Sequence, residues 1–553
     1  MIDIQQLVSV ILILGGTMSA AWLISPYIVR VYTGAPSRMD RLLDPVERGI
    51  YRAIGADPAR GMGWKEYFFT ALLVNVVQMA IAFAILTLQG SLPLNPMGFG
   101  GMSWDLALNT VVSFATNTNL QHYSGETTLS YLSQMGAIQF LQFTSAATGI
   151  CMGVAMVRGL TVGSKHMGNF YYDFVRSLTR LLLPFCFVAA LILVWMGVPQ
   201  TIGGYVPIKT VEGATGSILV GPVASLVSIM QLGTNGGGYY GANSAHPFMN
   251  PTPASDILEI CLMLLLPTAI VFVYGQLLGK RRESRPVLIG AYGLFAIDLA
   301  IAFLPNMPQV GPGIETRTGG FFSAFWTVVT TAVTTGSVNS SLAGMHPLVI
   351  LGGFMGMLIQ ATPGGKGVGL AYMVMYIVIT VFIVGLMSGR TPEYLGIKIT
   401  SRDMLIVLVA FLVHPFVILL PTILAYASGA AAAIGASGNS IGFTQVLYEF
   451  TTAAANNGSD FFGASANTLF FNLSTAAVIF IGRYAPIGLM LALAGSVIGR
   501  KRSSEAGGLK TDSITFSLVL IGSILVLVVL TFLPFLSLGP ILAYFQGNVN
   551  FYG

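Results

Sequence analysis

Very little of this chain is built for work in water. Charged residues make up only 8% of its 553 positions, histidines number 5 and cysteines 3. The cysteines (Cys151, Cys186 and Cys261) all fall inside apolar runs, and no CxxC or Cys/His cluster exists. That excludes a disulfide framework and a zinc site and leaves packing as their role. Machinery for ATP chemistry is missing too. No D-K-T-G phosphorylation motif occurs, and the nearest approach to a phosphate loop, T-P-G-G-K-G (362–367), has Gln360 for the first Gly and Gly367 for the Ser or Thr that holds magnesium. The loops on the basic side reach only about 40 residues, too few for a nucleotide-binding domain. His246 and His414 each precede Pro, which suits loop or helix-end packing better than metal binding.

What fills the chain is hydrocarbon: 54% of residues are hydrophobic and the mean hydropathy is +0.77. Runs of about 20 apolar residues, enough to cross a bilayer, recur ten times: 5–29, 67–88, 131–157, 178–198, 255–279, 286–304, 346–388, 403–425, 466–498 and 513–535. The first follows Asp3 and lacks a small-residue cleavage site, so it reads as a retained helix and not a leader. Lys and Arg are distributed 7, 4, 4, 3 and 4 in or at the edge of alternate connections, 22 of the 26 on one side. The positive-inside rule makes that side cytoplasmic and puts both termini outside. The net charge of +5 thus reflects topology and not nucleic-acid binding, and K-R-R (280–282) and R-K-R (500–502) read as anchors to membrane lipid.

Four short loops recur on the opposite side: T-N-T-N (Thr116, Asn117, Thr118, Asn119), G-T-N-G (Gly233, Thr234, Asn235, Gly236), V-T-T-G (ending Thr334, Thr335, Gly336) and A-N-N-G (ending Asn456, Asn457, Gly458). Their last positions lie 117, 100 and 122 residues apart, the mark of four copies of one unit. A dozen residues of helical character precede each loop (104–115, 222–232, 321–332 and 443–454), too few to span. The unit is a membrane helix, a short re-entrant helix, a loop and a membrane helix. Irregular backbone at membrane depth is tolerated where it lines water or is buried in protein. Thr hydroxyls, amide oxygens and carbonyls are the hard ligands that replace water around an alkali cation. The predicted fold is therefore an all-α polytopic membrane protein with ten transmembrane helices. Four pseudo-symmetric repeats (61–160, 161–282, 283–392 and 393–502) surround one ion pore, flanked by an extra helix and loop at 1–60 and an extra helix at 503–553.

The expected filter comprises those loop residues with Gln121 and Gly237; backbone carbonyls are the main ligands and side chains such as Gln121 either ligate or brace. G-G-K-G (Gly364, Gly365, Lys366, Gly367) interrupts the seventh run, which at about 43 residues is twice what a bilayer needs. It reads as an unwound gate with Lys366 as a movable charge in the ion path, or as a plain hairpin between half-spans. Asp298 and Arg483 lie within apolar runs, where ionisable residues are costly and functional by default. Arg483 would repel cations or pair with lipid or a carboxylate; Asp298 would be its partner or a proton carrier.

T-N-T-N-L-Q-H-Y-S-G-E (116–126), G-T-N-G-G-G-Y-Y-G-A-N-S-A-H-P-F-M-N-P-T (233–252), A-N-N-G-S (455–459) and G-R-T-P-E-Y-L-G (389–396) resemble the potassium-binding A subunit family of the bacterial Kdp potassium-transporting ATPase. The resemblance covers essentially the whole chain. It implies high-affinity potassium import across the bacterial inner membrane, with K+ bound at the filter and no nucleotide held by this chain. ATP would be hydrolysed by a separate P-type catalytic subunit (KdpB-like), accompanied by small accessory subunits (KdpC-like and KdpF-like). The third loop departs from the family pattern, reading T-T-G-S in place of T-T-C-G. The alternative is an autonomous channel or Trk-like transporter driven by membrane potential; the ten-span plan, the long second loop and G-R-T-P-E-Y-L-G favour the pump subunit.

Overall fold

The computed structural model describes residues 3–37, 39–502 and 510–552. A chain in hydrocarbon has no water to satisfy its backbone, so its apolar runs close their hydrogen bonds internally as helices. Among the described residues, ten helices are long and apolar enough to cross a membrane: Ile4–Thr33, Trp64–Ser91, Ser133–Leu160, Phe170–Trp195, Pro253–Leu277, Arg281–Phe303, Val368–Met387, Ser401–Ala427, Leu469–Val497 and Ile514–Leu538. The long seventh run is broken, with Pro347–Ile359 forming a half-helix before Val368–Met387. The four short helices are Trp104–Ala115, Val223–Leu232, Gly319–Ala332 and Ser440–Ala454, and each ends where its loop begins.

Burial sorts the spans into two rings. Those that follow a loop (third, fifth, seventh and ninth) have 89, 72, 72 and 61% of their most apolar stretch buried. Those that precede a short helix (second, fourth, sixth and eighth) have only 28, 39, 50 and 44%. The first group forms an inner ring about the loops, and the second presents its apolar side chains outward. The first span packs mainly on the fifth and the tenth on the sixth, outside this fourfold plan.

Two of the elements that were not anticipated stand out. An amphipathic helix, Asp40–Ala53, lies after the first span, in a segment that charge counting marks only as a basic loop. A hairpin pairs Val206–Lys209 with Thr215–Ile218 between the fourth span and the second short helix. The amphipathic helix is pinned by Arg180, a buried cation of the fourth span. Its Nε donates to Glu47 Oε1 (2.6 Å) and its Nη2 to Asp44 Oδ1 (2.6 Å), while Nη1 reaches Asp40. The Ser37 backbone N–H and then the Arg180 guanidinium hold the Asp40 carboxyl below its ordinary range. Removing one member of a buried ion pair strands its partner at about 3–5 kcal/mol. Arg180→Ala should therefore lower the thermal unfolding midpoint in detergent by several degrees, with Arg180→Lys intermediate. An unchanged midpoint would show that this cluster holds nothing.

Candidate functional site

Each short helix hands its loop the same local geometry. The N–H groups of Thr118, Asn235, Thr335 and Asn457 turn back to the carbonyls five residues earlier, on Ser113, Met230, Thr330 and Thr452, at 2.9, 2.8, 2.7 and 2.9 Å. The residues on either side have positive φ. These are Asn117, Thr234, Thr334 and Asn456 (67, 42, 49 and 53°) and Asn119, Gly236, Gly336 and Gly458 (60, 90, 88 and 102°). In an extended strand successive carbonyls point to opposite sides. Alternating left-handed with ordinary residues turns them to one side, while the N–H groups face the short helix. A β-branched residue in the left-handed region is a genuine outlier, so Thr234 and Thr334 mark backbone that the surrounding structure holds in place. At the first positions only Asn117 and Asn456 carried a sequence signal for left-handed backbone, and Thr234 and Thr334 carried none, whereas all four last positions are Gly or Asn.

The loops follow one another around a common axis. A Cβ on Gly236 would overlap the Thr335 carbonyl oxygen, one on Gly336 the Asn457 oxygen, and one on Gly458 the Thr118 oxygen. The first loop closes on the second through Asn117, whose Nδ2 donates to the Thr234 carbonyl at 2.5 Å. Within this ring the backbone oxygens of Thr118, Asn235, Thr335 and Asn457 accept no hydrogen bond among the described residues. The negative ends of four short-helix dipoles converge on the same place. Such a ring can exchange its oxygens for the hydration shell of a monovalent cation.

Side-chain amides hold the ring rather than line it. Gln121 Nε2 donates to the Gly238 carbonyl (3.1 Å) and its Oε1 accepts from the Gly238 N–H (2.9 Å), so Gln121 is a brace. Gln142 Nε2 donates to the Gly237 carbonyl at 2.8 Å; Gly237 itself lies against Phe114 and Asn119. Asn235 Nδ2 donates to Asn117 Oδ1 (2.9 Å), Asn456 Nδ2 to Thr118 Oγ1 (2.9 Å), and Asn457 Nδ2 to the Thr330 carbonyl (2.9 Å). Asn243 joins two loops, donating from Nδ2 to the Gly236 carbonyl (2.7 Å) and accepting from the Val338 N–H (3.3 Å). Two buried hydrogen bonds at about 1 kcal/mol each imply that Asn243→Ala weakens ion affinity about tenfold or more. Asn243 sits at φ 54°, so Asn243→Gly restores the backbone without the amide and should recover little of that loss. Unchanged uptake kinetics in both variants would mean the amide does not hold the loops.

Behind the ring are carboxylates that sequence reading missed. Glu259 Oε2 accepts from Gln231 Nε2 (2.6 Å) and Ser244 Oγ (2.7 Å), and Gln231 Oε1 accepts from Ser337 Oγ beside the third loop (3.1 Å). His122 sits between Glu449 Oε1 (3.1 Å from Nε2) and Asn472 Oδ1 (2.7 Å from Nδ1). Burial pushes the His122 ring down, but Glu449 and Asn472 outweigh it and raise the ring above its ordinary 6.5.

The broken span passes directly beneath the loops. Gly364 donates its N–H to the Ala332 carbonyl at the end of the third short helix (2.9 Å). Gly367, at φ 81°, approaches the third span so closely that a Cβ would overlap the Gly149 carbonyl. Lys366 is 2% exposed. Its ammonium donates to Asn117 Oδ1 (3.1 Å), to Thr234 Oγ1 (3.0 Å) and to the Gly233 carbonyl. Gly365 lies against Thr334. Arg483 lies against the same face of Gly149 as the Lys366 carbonyl, its guanidinium within 2.9 Å of where a Cβ there would stand, and it has no ion pair among the described residues. Asp298 is not its partner: both carboxylate oxygens are buried and without a hydrogen bond among the described residues. His246 stacks on Tyr240, and His414 meets Gln360 Nε2 at 2.9 Å.

Comparison with known proteins agrees with this geometry. A chain from Caldanaerobacter subterraneus subsp. tengcongensis, the potassium-transporting ATPase potassium-binding subunit, is 44% identical over 537 residues, covering 93% of this chain and 95% of its own. A protein of the same name from Alicyclobacillus acidocaldarius is 45% identical over 554 residues, with 97% and 98% covered. The crystal structure of the potassium transporter TrkH from Vibrio parahaemolyticus shares the fold at 14% identity, with a TM-score of 0.51 over 76% of this chain and 84% of that one. The profile of the family described as potassium-transporting ATPase A subunit matches residues 11–545, and the chain belongs to that family.

Proposed function

We propose that this chain binds and selects potassium from outside the cell and passes it into an ATP-driven import complex. The observation that carries this reading is the ring of unengaged carbonyls on Thr118, Asn235, Thr335 and Asn457, held by four pairs of left-handed residues. Around it we assign Thr116, Gly233 and the remaining loop residues to the filter, with Gln121 and Gly237 supporting it. The four repeats serve as 61–160, 161–282, 283–392 and 393–502, and the segments 1–60 and 503–553 flank them. The protein sits in the bacterial inner membrane with both termini outside, an orientation supported by the one-sided distribution of Lys and Arg. It hydrolyses nothing itself and holds no nucleotide. A P-type catalytic subunit supplies the energy, with small accessory subunits; the relatives' name, that of one subunit of a potassium-transporting ATPase, supports an ATPase partner.

Gly364 to Gly367 act as the gate. Lys366 uses three oxygens at the lower edge of the loops that a descending cation would otherwise meet, and Arg483 adds a second charge at Gly149, beside the Lys366 backbone. Two unpaired cations under the ring favour a controlled exit over the open pore of an autonomous channel. The test is potassium-stimulated ATP hydrolysis, with the chain purified alone and with its neighbouring-gene products. Alone it should bind potassium and hydrolyse no ATP; the complex should do both. A phosphoenzyme mapped to a residue of this chain would overturn the division of labour.

A further inference from the structure

On the basic side of the molecule, a groove of about 360 Å³ runs between the first, fifth and sixth spans. Trp22, Leu23, Phe272 and Leu288 wall it, and Arg281 and Arg285 stand at the start of the sixth span where it meets the aqueous side. Trp22 and Leu23 are 61 and 66% exposed, as side chains facing hydrocarbon would be. Both arginines are exposed, and neither side chain donates a hydrogen bond or joins an ion pair among the described residues. A second recess, of about 370 Å³, shares Arg281 and brings three more cations, Lys280, Arg282 and Lys510, together with three carboxylates. Gln276 Nε2 donates to Ser25 Oγ (2.7 Å), which leaves its carbonyl oxygen for a donor from outside.

We propose that this groove is a site for one anionic phospholipid of the phosphatidylglycerol class from the inner leaflet. An acyl chain lies against Trp22, Leu23, Phe272 and Leu288, and the phosphodiester sits between Arg281 and Arg285. Guanidinium forks pair with phosphate oxygens in two parallel hydrogen bonds, and a basic recess between membrane helices on the cytoplasmic side suits an anionic headgroup. Gln276 accepts from a headgroup hydroxyl, which a choline headgroup lacks. A zwitterionic lipid would leave the arginines without a net anion to answer them.

The test titrates the full-length protein in detergent with dioleoylphosphatidylglycerol, dioleoylphosphatidylcholine or inorganic phosphate and counts bound lipid by native mass spectrometry. Arg281→Gln with Arg285→Gln should weaken phosphatidylglycerol binding about thirtyfold, the product of two basic residues near a charged surface. Arg41→Gln with Arg48→Gln, on the exposed face of the amphipathic helix, should leave it unchanged. A photocrosslinker in place of Leu23 should label lipid in the membrane-embedded complex. Equal loss in both double variants, equal binding of the choline lipid, full competition by inorganic phosphate, or crosslinking of Leu23 to a polypeptide would each overturn the assignment.

Discussion

Replacing Gly236 by alanine or serine is expected to weaken apparent potassium affinity by about 10- to 100-fold and to relax rejection of rubidium and sodium. The backbone there sits at φ 90°, which costs an L-residue about 1–3 kcal/mol. The added Cβ has nowhere to go, because it overlaps a neighbouring main-chain oxygen and not the end of a flexible side chain. That oxygen, on Thr335, is one of the four ring carbonyls, so relief of the clash must displace a ligand. Since 1.36 kcal/mol is a factor of ten, strain alone supplies the lower part of the range and the displaced ligand the rest. Gly336→Ala and Gly458→Ala disturb the Asn457 and Thr118 oxygens in the same way and should behave alike. Uptake assayed against potassium, rubidium and sodium checks this. Parental affinity and ion preference in the Gly236 variants would remove that residue from the filter.

Lys366→Ala should have the opposite signature, with ion preference kept and coupling lost. Lys366 touches the second loop at Gly233 and Thr234 and the first at Asn117, below the ring formed by Thr118, Asn235, Thr335 and Asn457. A cation about 4 Å from a like charge pays on the order of 4 kcal/mol at the dielectric typical of protein surfaces. Removing the ammonium should therefore raise passive potassium leak at least about tenfold and lower the ions imported per ATP. Gly364→Ala should slow transport instead, because Gly364 is at φ 75° and a Cβ would overlap the Gln360 carbonyl. Leak and ATPase rates measured together in proteoliposomes separate the two. If both variants retain parental leak and coupling, the segment is a passive hairpin.

The parts of this architecture that were legible in the sequence are those encoded locally. Ten apolar runs, four short helices and the break at Gly364–Gly367 depend on composition over a few turns, and their ends fall within about five residues of the expected ones, except that the fourth span starts at Phe170 and not at 178. The Asp40–Ala53 helix escaped because its buried Glu47 pairs with Arg180, more than 100 positions away. The same holds near the loops. Gln142 and Asn243 are unremarkable in their own neighbourhoods and acquire a role only by reaching Gly237 and Gly236. Glu259 and Glu449 lie in apolar surroundings and would be read as isolated charges until Gln231 and His122 are placed beside them. The expected link between Asp298 and Arg483 had only shared burial behind it, and geometry separates them.

The ring is built from one chain, and its four oxygens belong to Thr118, Asn235, Thr335 and Asn457. A pore assembled from identical subunits receives every substitution four times at once, so its energetics can be sampled only in steps of four. Here a change can be made in one quarter of the ring, then in the adjacent quarter, then in the opposite one. Double-mutant cycles between Gly236 and Gly336, or Gly236 and Gly458, would measure how far neighbouring and facing ligands depend on each other. The covalent continuity of the chain thus makes cooperativity within the proposed cation-coordinating ring directly measurable.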